Sequence, residues 1–215
     1  MTDDARRLDF AFAIPDRHAI AIPGRIDDPV ERSAWAARTA AEFTTAQEPA
    51  DRAPERIALA LDDLAALADD EAALFLIMTG DAAMLAPFTI YATGERMSDA
   101  DVAGFLSTAT TLLPPTGQIV ASDHFGDGFS STLLEGVQGA EYASRRWVFF
   151  GQQGDVAAML GPVVPALGLG LVEQVAELVL QHSSLAGFTP APDAEARRER
   201  LLAATERFGD TWSVR

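Results

Sequence analysis

The sequence predicts an α+β fold, an antiparallel sheet of about six or seven strands with helices on both faces, that is, an α/β/α sandwich. Three observations carry this. From Trp147 to Phe150 no residue is polar, so a strand there presents Trp147 and Phe149 to one face and Val148 and Phe150 to the other, and both faces need cover. Leu74 to Met78 (LFLIM) is a second run of the same kind. The strand-like segments also come in groups joined by short breaks, which favours antiparallel pairing, with helix-forming stretches between the groups.

Taken in order, Leu8 to Ile14 alternates and His18 to Ile22 continues extended after Pro15, giving an opening strand or hairpin that Pro23 and Gly24 turn. Asp28 then Pro29 marks a helix start running to about Gln47, with Trp35 and Phe43 as its anchors. A second helix over Pro54 to Asp69 places Ile57, Leu61, Leu64 and Ala68 along one face. After the LFLIM strand, which is expected beside the central hairpin, Phe88, Ile90 and Ala92 alternate with Thr89, Tyr91 and Thr93 in an antiparallel neighbour. Ser98 with Asp101 makes a capping box for a helix that Pro114 and Pro115 stop.

The second half reads as a meander: Gln118 to Ser122, Phe129 to Val137, Ala143 to Phe150 and Val156 to Val163. Gly151, Gly154 and Asp155 supply turn chemistry between the last two, which form the central hairpin. Leu171 to His182 is a helix with a wide apolar stripe (Leu171, Val172, Val175, Leu178, Val179), with Glu173, Gln174 and Glu177 outside and Gly187 as its stop. From Pro190 the composition turns charged. The expected organisation is therefore a sandwich domain over residues 1–188 and a C-terminal linker and charged helix over 189–215.

The chain carries 16 basic residues, all of them arginine, against 32 acidic ones, a net charge of −16. Such a surface disfavours nucleic acid or an anionic membrane as partner. With neither lysine nor cysteine there is no Schiff-base or Walker lysine, no thiolate nucleophile and no disulfide framework. The amino terminus is acidic and lacks a signal-like apolar run, so a cytoplasmic location is expected. The uncharged window Val156 to Val172 is broken by proline and glycine and falls short of the roughly 20 apolar residues of a span. No cofactor is called for.

The element order, the LFLIM strand and the SRRWVFF strand followed by DVAAML and a terminal helix resemble the Mog1/PsbP-like group of small α/β/α sandwich proteins, over about Leu8 to Leu185. The resemblance implies an adaptor or accessory role, binding other proteins, and no shared catalytic residues.

Candidate chemistry is sparse. Asp123, His124, Asp127 and Ser130 form the densest polar constellation, of a kind that can ligate a metal or prime a serine. The loop lacks the calcium-loop pattern and the second glycine of a nucleophile elbow, and a hairpin turn accounts for its Gly and Asp. Gly168 and Gly170 offer backbone access for a phosphate, but Glu173 stands where a third glycine belongs. Arg145 and Arg146 lie inside a strand. If the loop Gln138 to Glu141 sets the register, Arg146 is diagonal to Glu135, in an exposed ion pair or, alternatively, at a partner contact. The expected function is a non-enzymatic interaction module that docks another protein through Leu201, Leu202, Phe208 and Trp212 of the tail. The alternatives are a small-molecule binder or hydrolase using Asp123 to Ser131, and an acidic chaperone for a secreted or basic client.

Overall fold

The computed structural model describes residues 10–12, 18–45, 53–69, 71–108, 110–137 and 139–210. Its elements are β1 (Phe10–Ala11), β2 (Ala19–Ala21), α1 (Pro29–Thr45), α2 (Ala53–Leu67), β3 (Ala72–Met78), β4 (Leu85–Ala92), α3 (Asp99–Leu106), β5 (Thr116–Ser122), β6 (Gly126–Val137), β7 (Ala140–Phe149), β8 (Val156–Val163), α4 (Leu169–Gln181), β9 (Ser184–Leu185) and α5 (Ala194–Asp210). Seven strands form one antiparallel sheet in the order β2-β3-β4-β8-β7-β6-β5, and β1 pairs with β9 in a separate two-stranded sheet. The opening residues therefore feed two sheets rather than one hairpin. Leu8, Ile14 and Pro15 of that stretch lie outside the described residues.

Strand alternation sorts the core. On one face Phe75, Ile77, Phe88, Ile90, Trp147, Phe149, Ala158 and Leu160 are buried under Val172, Val175, Ala176 and Val179 of α4. The opposite face is covered in two halves. Leu76 and Met78 meet Ile57 and Leu61 of α2 and Ala36 and Ala40 of α1. Val148, Phe150, Ala157 and Phe129 meet Val102 and Leu106 of α3 and Ala194 and Leu201 of α5. Local signals set the helix starts: Asp28 Oδ1 accepts from Val30 N at 2.7 Å, and Ser98 and Asp101 form the reciprocal box on α3.

Four expectations change. LFLIM does not border the central hairpin β7–β8, because β4 lies between them and pairs with both β3 and β8. Strand β4 alternates like an edge yet sits inside the sheet, since its Thr89 and Tyr91 face is partly covered. Helix α4 stops at Gln181 with His182 as its C-cap, and Gly187 turns the chain only after β9. The turn between β6 and β7 is shorter than Gln138 to Glu141: Val137 pairs with Ala140 and Glu135 with Tyr142. The register therefore shifts by an even number of residues, and every side chain keeps its expected face.

The segment from Pro190 is built into the fold rather than appended to it. Ala191, Ala194 and Leu201 are buried in the third core cluster, Leu202 packs against it, and Ala191 N donates to Phe150 O at 2.8 Å. Arg197, only 3 % exposed, joins Asp155, which is 0 % exposed. Deleting Pro190 to Arg215 is accordingly expected to unfold or strongly destabilise the remainder. Arg197→Met is expected to cost about 3 kcal/mol in urea denaturation, because it strands the Asp155 carboxylate in the core. Arg198→Ala, at a half-exposed pair, should cost no more than about 1 kcal/mol. Equal losses for the two variants would refute the internal role of Arg197.

Candidate functional site

The constellation Asp123 to Ser131 turns out to be a hairpin turn with its polar groups apart. Asp123 and His124 are exposed, and Ser122 Oγ accepts from the backbone N–H of His124 and of Phe125, both at 3.3 Å, which fixes the turn around a fully buried Phe125. Gly126 takes a φ of +70° there. Asp127 is engaged by Arg198 of α5 at 2.5 Å. Ser130 is buried on the α4 face, where its Oγ accepts from Arg145 at 3.0 Å and, among the described residues, bonds to no histidine or carboxylate that could serve as base. Among the described residues no group of three or more His, Asp or Glu is placed to hold a metal.

The two strand arginines face opposite sides of the sheet, and neither is a free surface cation. The Arg145 side chain is 4 % exposed. It donates to Thr132 Oγ1 at 2.8 Å and Gln118 Oε1 at 2.7 Å, and lies 2.9 Å from Glu173 and 3.8 Å from Glu177 of α4. Glu173 and Glu177, expected on the outside of that helix, are thus drawn to its flank by a cation in the sheet. Burial pushes the Glu173 carboxyl above its ordinary range, against the attraction of Arg145. Arg146 donates to Phe105 O at 2.6 Å, stacks 5.5 Å from the Phe105 ring and reaches Glu135 at 3.4 Å. The expected partners do pair, but in the interior and not as diagonal neighbours, since Arg146 stands opposite Ser131 and Glu135 opposite Tyr142.

Glu135 is the focus of the second network. Burial works to raise its carboxyl, yet hydrogen bonds from Thr108 and Ser144, the Arg146 charge and a bond from Thr110 outweigh it, so the group stays below its ordinary value of 4.5. Thr108 Oγ1 donates at 2.6 Å and Ser144 Oγ at 2.7 Å. The carboxylate thereby ties the segment after α3 to the hairpin β6–β7.

Asp155 and Arg197 form the third network, which the sequence reading did not single out. Asp155 accepts from Met97 N at 2.9 Å and Gly151 N at 3.1 Å and pairs with Arg197 at 3.2 Å. The Arg197 guanidinium stacks 4.5 Å from the Phe150 ring, donates to Met97 O and meets Asp99 at 3.2 Å. The chain closes tightly around this carboxylate: a Cβ on Gly154 would meet Thr93 O at 2.1 Å. A signal existed in the tail, where Ala191, Ala194, Arg197 and Leu201 follow intervals of three, three and four that put an arginine in the buried stripe.

Two surface features remain. A shallow cavity of about 230 Å³ opens on the face that α2 covers, lined by Leu64, Leu67, Leu74, Pro87 and Met159, with Thr89 and Asp69 as its polar lining. On the other side of the sheet an apolar ridge crosses the outside of α4 and the turn before it: Val164 is 64 %, Leu167 93 %, Leu171 63 % and Leu178 43 % exposed. Gly170 and Gln174 complete this surface, and no charged residue interrupts it from Val164 to Val172. The tail residues expected to dock a partner fare differently. Leu201 and Leu202 are taken by the core, while the Phe208 side chain and Trp212 lie outside the described residues.

No family model and no curated protein matches the chain. Among solved structures the fold is similar to the crystal structure of LpqN, described as involved in cell envelope biogenesis of Mycobacterium tuberculosis. The TM-score is 0.42 at 11 % identity, covering 85 % of this chain and 87 % of that one. No helix among the described residues is long and apolar enough to cross a membrane.

The Glu135 network makes a pH-dependent prediction. Its folded-state pKa is depressed, so the stability it adds is present above the unfolded value and is lost as pH falls through the folded one. Glu135→Gln is expected to cost about 3 kcal/mol near neutrality, by leaving Arg146 without its carboxylate. The gap between wild type and variant in urea midpoints should then narrow steadily below the ordinary glutamate value of 4.5. A gap that stays constant to strongly acid pH would refute the charged state of Glu135.

Proposed function

We propose that the protein is a non-enzymatic interaction module, acting in the cytoplasm, whose docking surface is the outer ridge of α4. The observation that carries this is the exposed line Val164, Leu167, Leu171 and Leu178 in a chain of net charge −16. Val164, Leu167 and Leu171, with Leu178 two turns further along the helix, are large apolar side chains exposed on one side of a strongly acidic chain, the kind of surface that marks an interaction site. Its placement also favours recognition of a macromolecule, because a convex helix ridge offers no concave pocket for a small ligand. The residues that a hydrolase reading needs are held apart: Ser130 is buried and tied to Arg145, and His124 stands exposed on the turn.

The mechanism is surface docking by apolar burial on α4, rather than through the tail as the sequence suggested. Leu167→Asp with Leu171→Asp is expected to leave the melting temperature within a few degrees, since both side chains already face solvent, and to abolish recovery of the proteins that the wild type captures from its native cell. Unchanged recovery by a folded double variant would overturn the ridge as the docking site.

A further inference from the structure

We infer that the partner of the α4 ridge is a basic amphipathic helix, resting on the reading of that ridge as a docking surface. The spacing is the first ground. Leu171, Gln174 and Leu178 of α4 follow intervals of three and four, the spacing along which a helix face packs, and Leu167 stands exposed in the 3-10 turn just before the helix. Gly170 lies exposed beside this seam with nothing within 4 Å of where a Cβ would stand, so a second backbone can approach closely there.

Charge is the second ground. The flank of the ridge carries Glu173 and Glu177, and among the described residues both draw on one cation, Arg145, whose Nε lies 2.9 Å from Glu173 while its Nη2 is 3.8 Å from Glu177. Glu173 holds the closer contact and is 23 % exposed; Glu177, at 40 %, keeps its outer side open to solvent. The seam is therefore bordered by a carboxylate excess, in a molecule already at −16. A lysine or arginine at the edge of a partner's apolar stripe would complete the neutralisation of Glu177. A second copy of this chain would bring the same Glu177 and the same net charge to the contact, and like-charged surfaces repel on approach. An anionic membrane is disfavoured on the same ground.

The test uses the full chain and two synthetic helical peptides with leucine at the seam positions, one flanked by lysine and one by glutamate. The lysine-flanked peptide is expected to bind at least about tenfold more tightly, with an advantage that shrinks as salt is raised from about 0.05 to about 0.5 M. Leu171→Asp should abolish its binding. Glu177→Gln should weaken it several-fold and flatten the salt dependence while leaving the melting temperature in place. Equal binding of the two peptides, a preference for the glutamate-flanked one, or no binding of either overturns the basic-helix inference. Sedimentation of the protein alone separates the failures. Self-association lost in Leu171→Asp would replace the basic partner by a second copy and keep the ridge as a docking surface. A monomer that binds neither peptide, with unaltered capture by the Leu167→Asp, Leu171→Asp variant, would remove both readings.

Discussion

The constraint on which the structure depends is a sheet that is apolar on both sides at its centre. Trp147 and Phe149 need cover on one face, Val148 and Phe150 on the other, and each of the four is at most 2 % exposed. One helix, α4, suffices for the first face. The second is wider than one helix can serve, so α1 and α2 take the half over β3 while α3 and α5 take the half over β6 and β7. This division explains why the C-terminal helix cannot be an ornament: without it Phe150 and Phe129 would lose the layer that excludes water from them.

Within that frame, charge is handled by pairing arginines in the sheet and its covering helices with carboxylates. Arg145, Arg146 and Arg197 each combine a carboxylate with an aromatic face, Trp147 at 5.6 Å, Phe105 at 5.5 Å and Phe150 at 4.5 Å. A planar guanidinium can satisfy a carboxylate in its plane and a ring above it, a combination that suits arginine better than an ammonium. Each network also crosses between elements: Arg145 ties the sheet to α4, Arg146 with Glu135 ties it to the end of α3, and Arg197 with Asp155 ties α5 to the turn before β8. Such pairs add little net stability relative to apolar packing, but they are costly to break singly, so they fix which helix lies where.

Much of the fold was legible because its signals are local. The capping box at Ser98, the two-sided strands and the meander all follow from adjacent residues, and Arg146 with Glu135 was read from an assumed turn whose error of two residues left both side chains on one face. Sheet order was not, since β4 looks one-sided in sequence and becomes central only because Phe88 and Ile90 pair with the β8 register. Burial of charged groups was the larger gap. Asp155 reads as turn chemistry and Arg197 as one arginine in a charged helix; their partnership spans 42 residues, and only the spacing of Ala191, Ala194 and Leu201 hints at it. The candidate site was legible least, because Leu171 and Leu178 fall in the same sequence stripe as Val175 and Val179. The stripe is wider than the face the sheet can bury.

That excess width has a structural cause. Glu173 and Glu177 would conventionally define the solvent side of α4, and the stripe centred opposite them would pack fully. The rotation of the helix about its axis follows from burying its valines, and in that setting Arg145 in the sheet holds Glu173 at 2.9 Å. Val172, Val175, Ala176 and Val179 turn inward, and Leu171 and Leu178 are left on the outside. The rotation that buries these valines and lets Arg145 meet Glu173 thus leaves both features on which recognition is argued to rest, the exposed apolar ridge and the carboxylate-rich flank beside it.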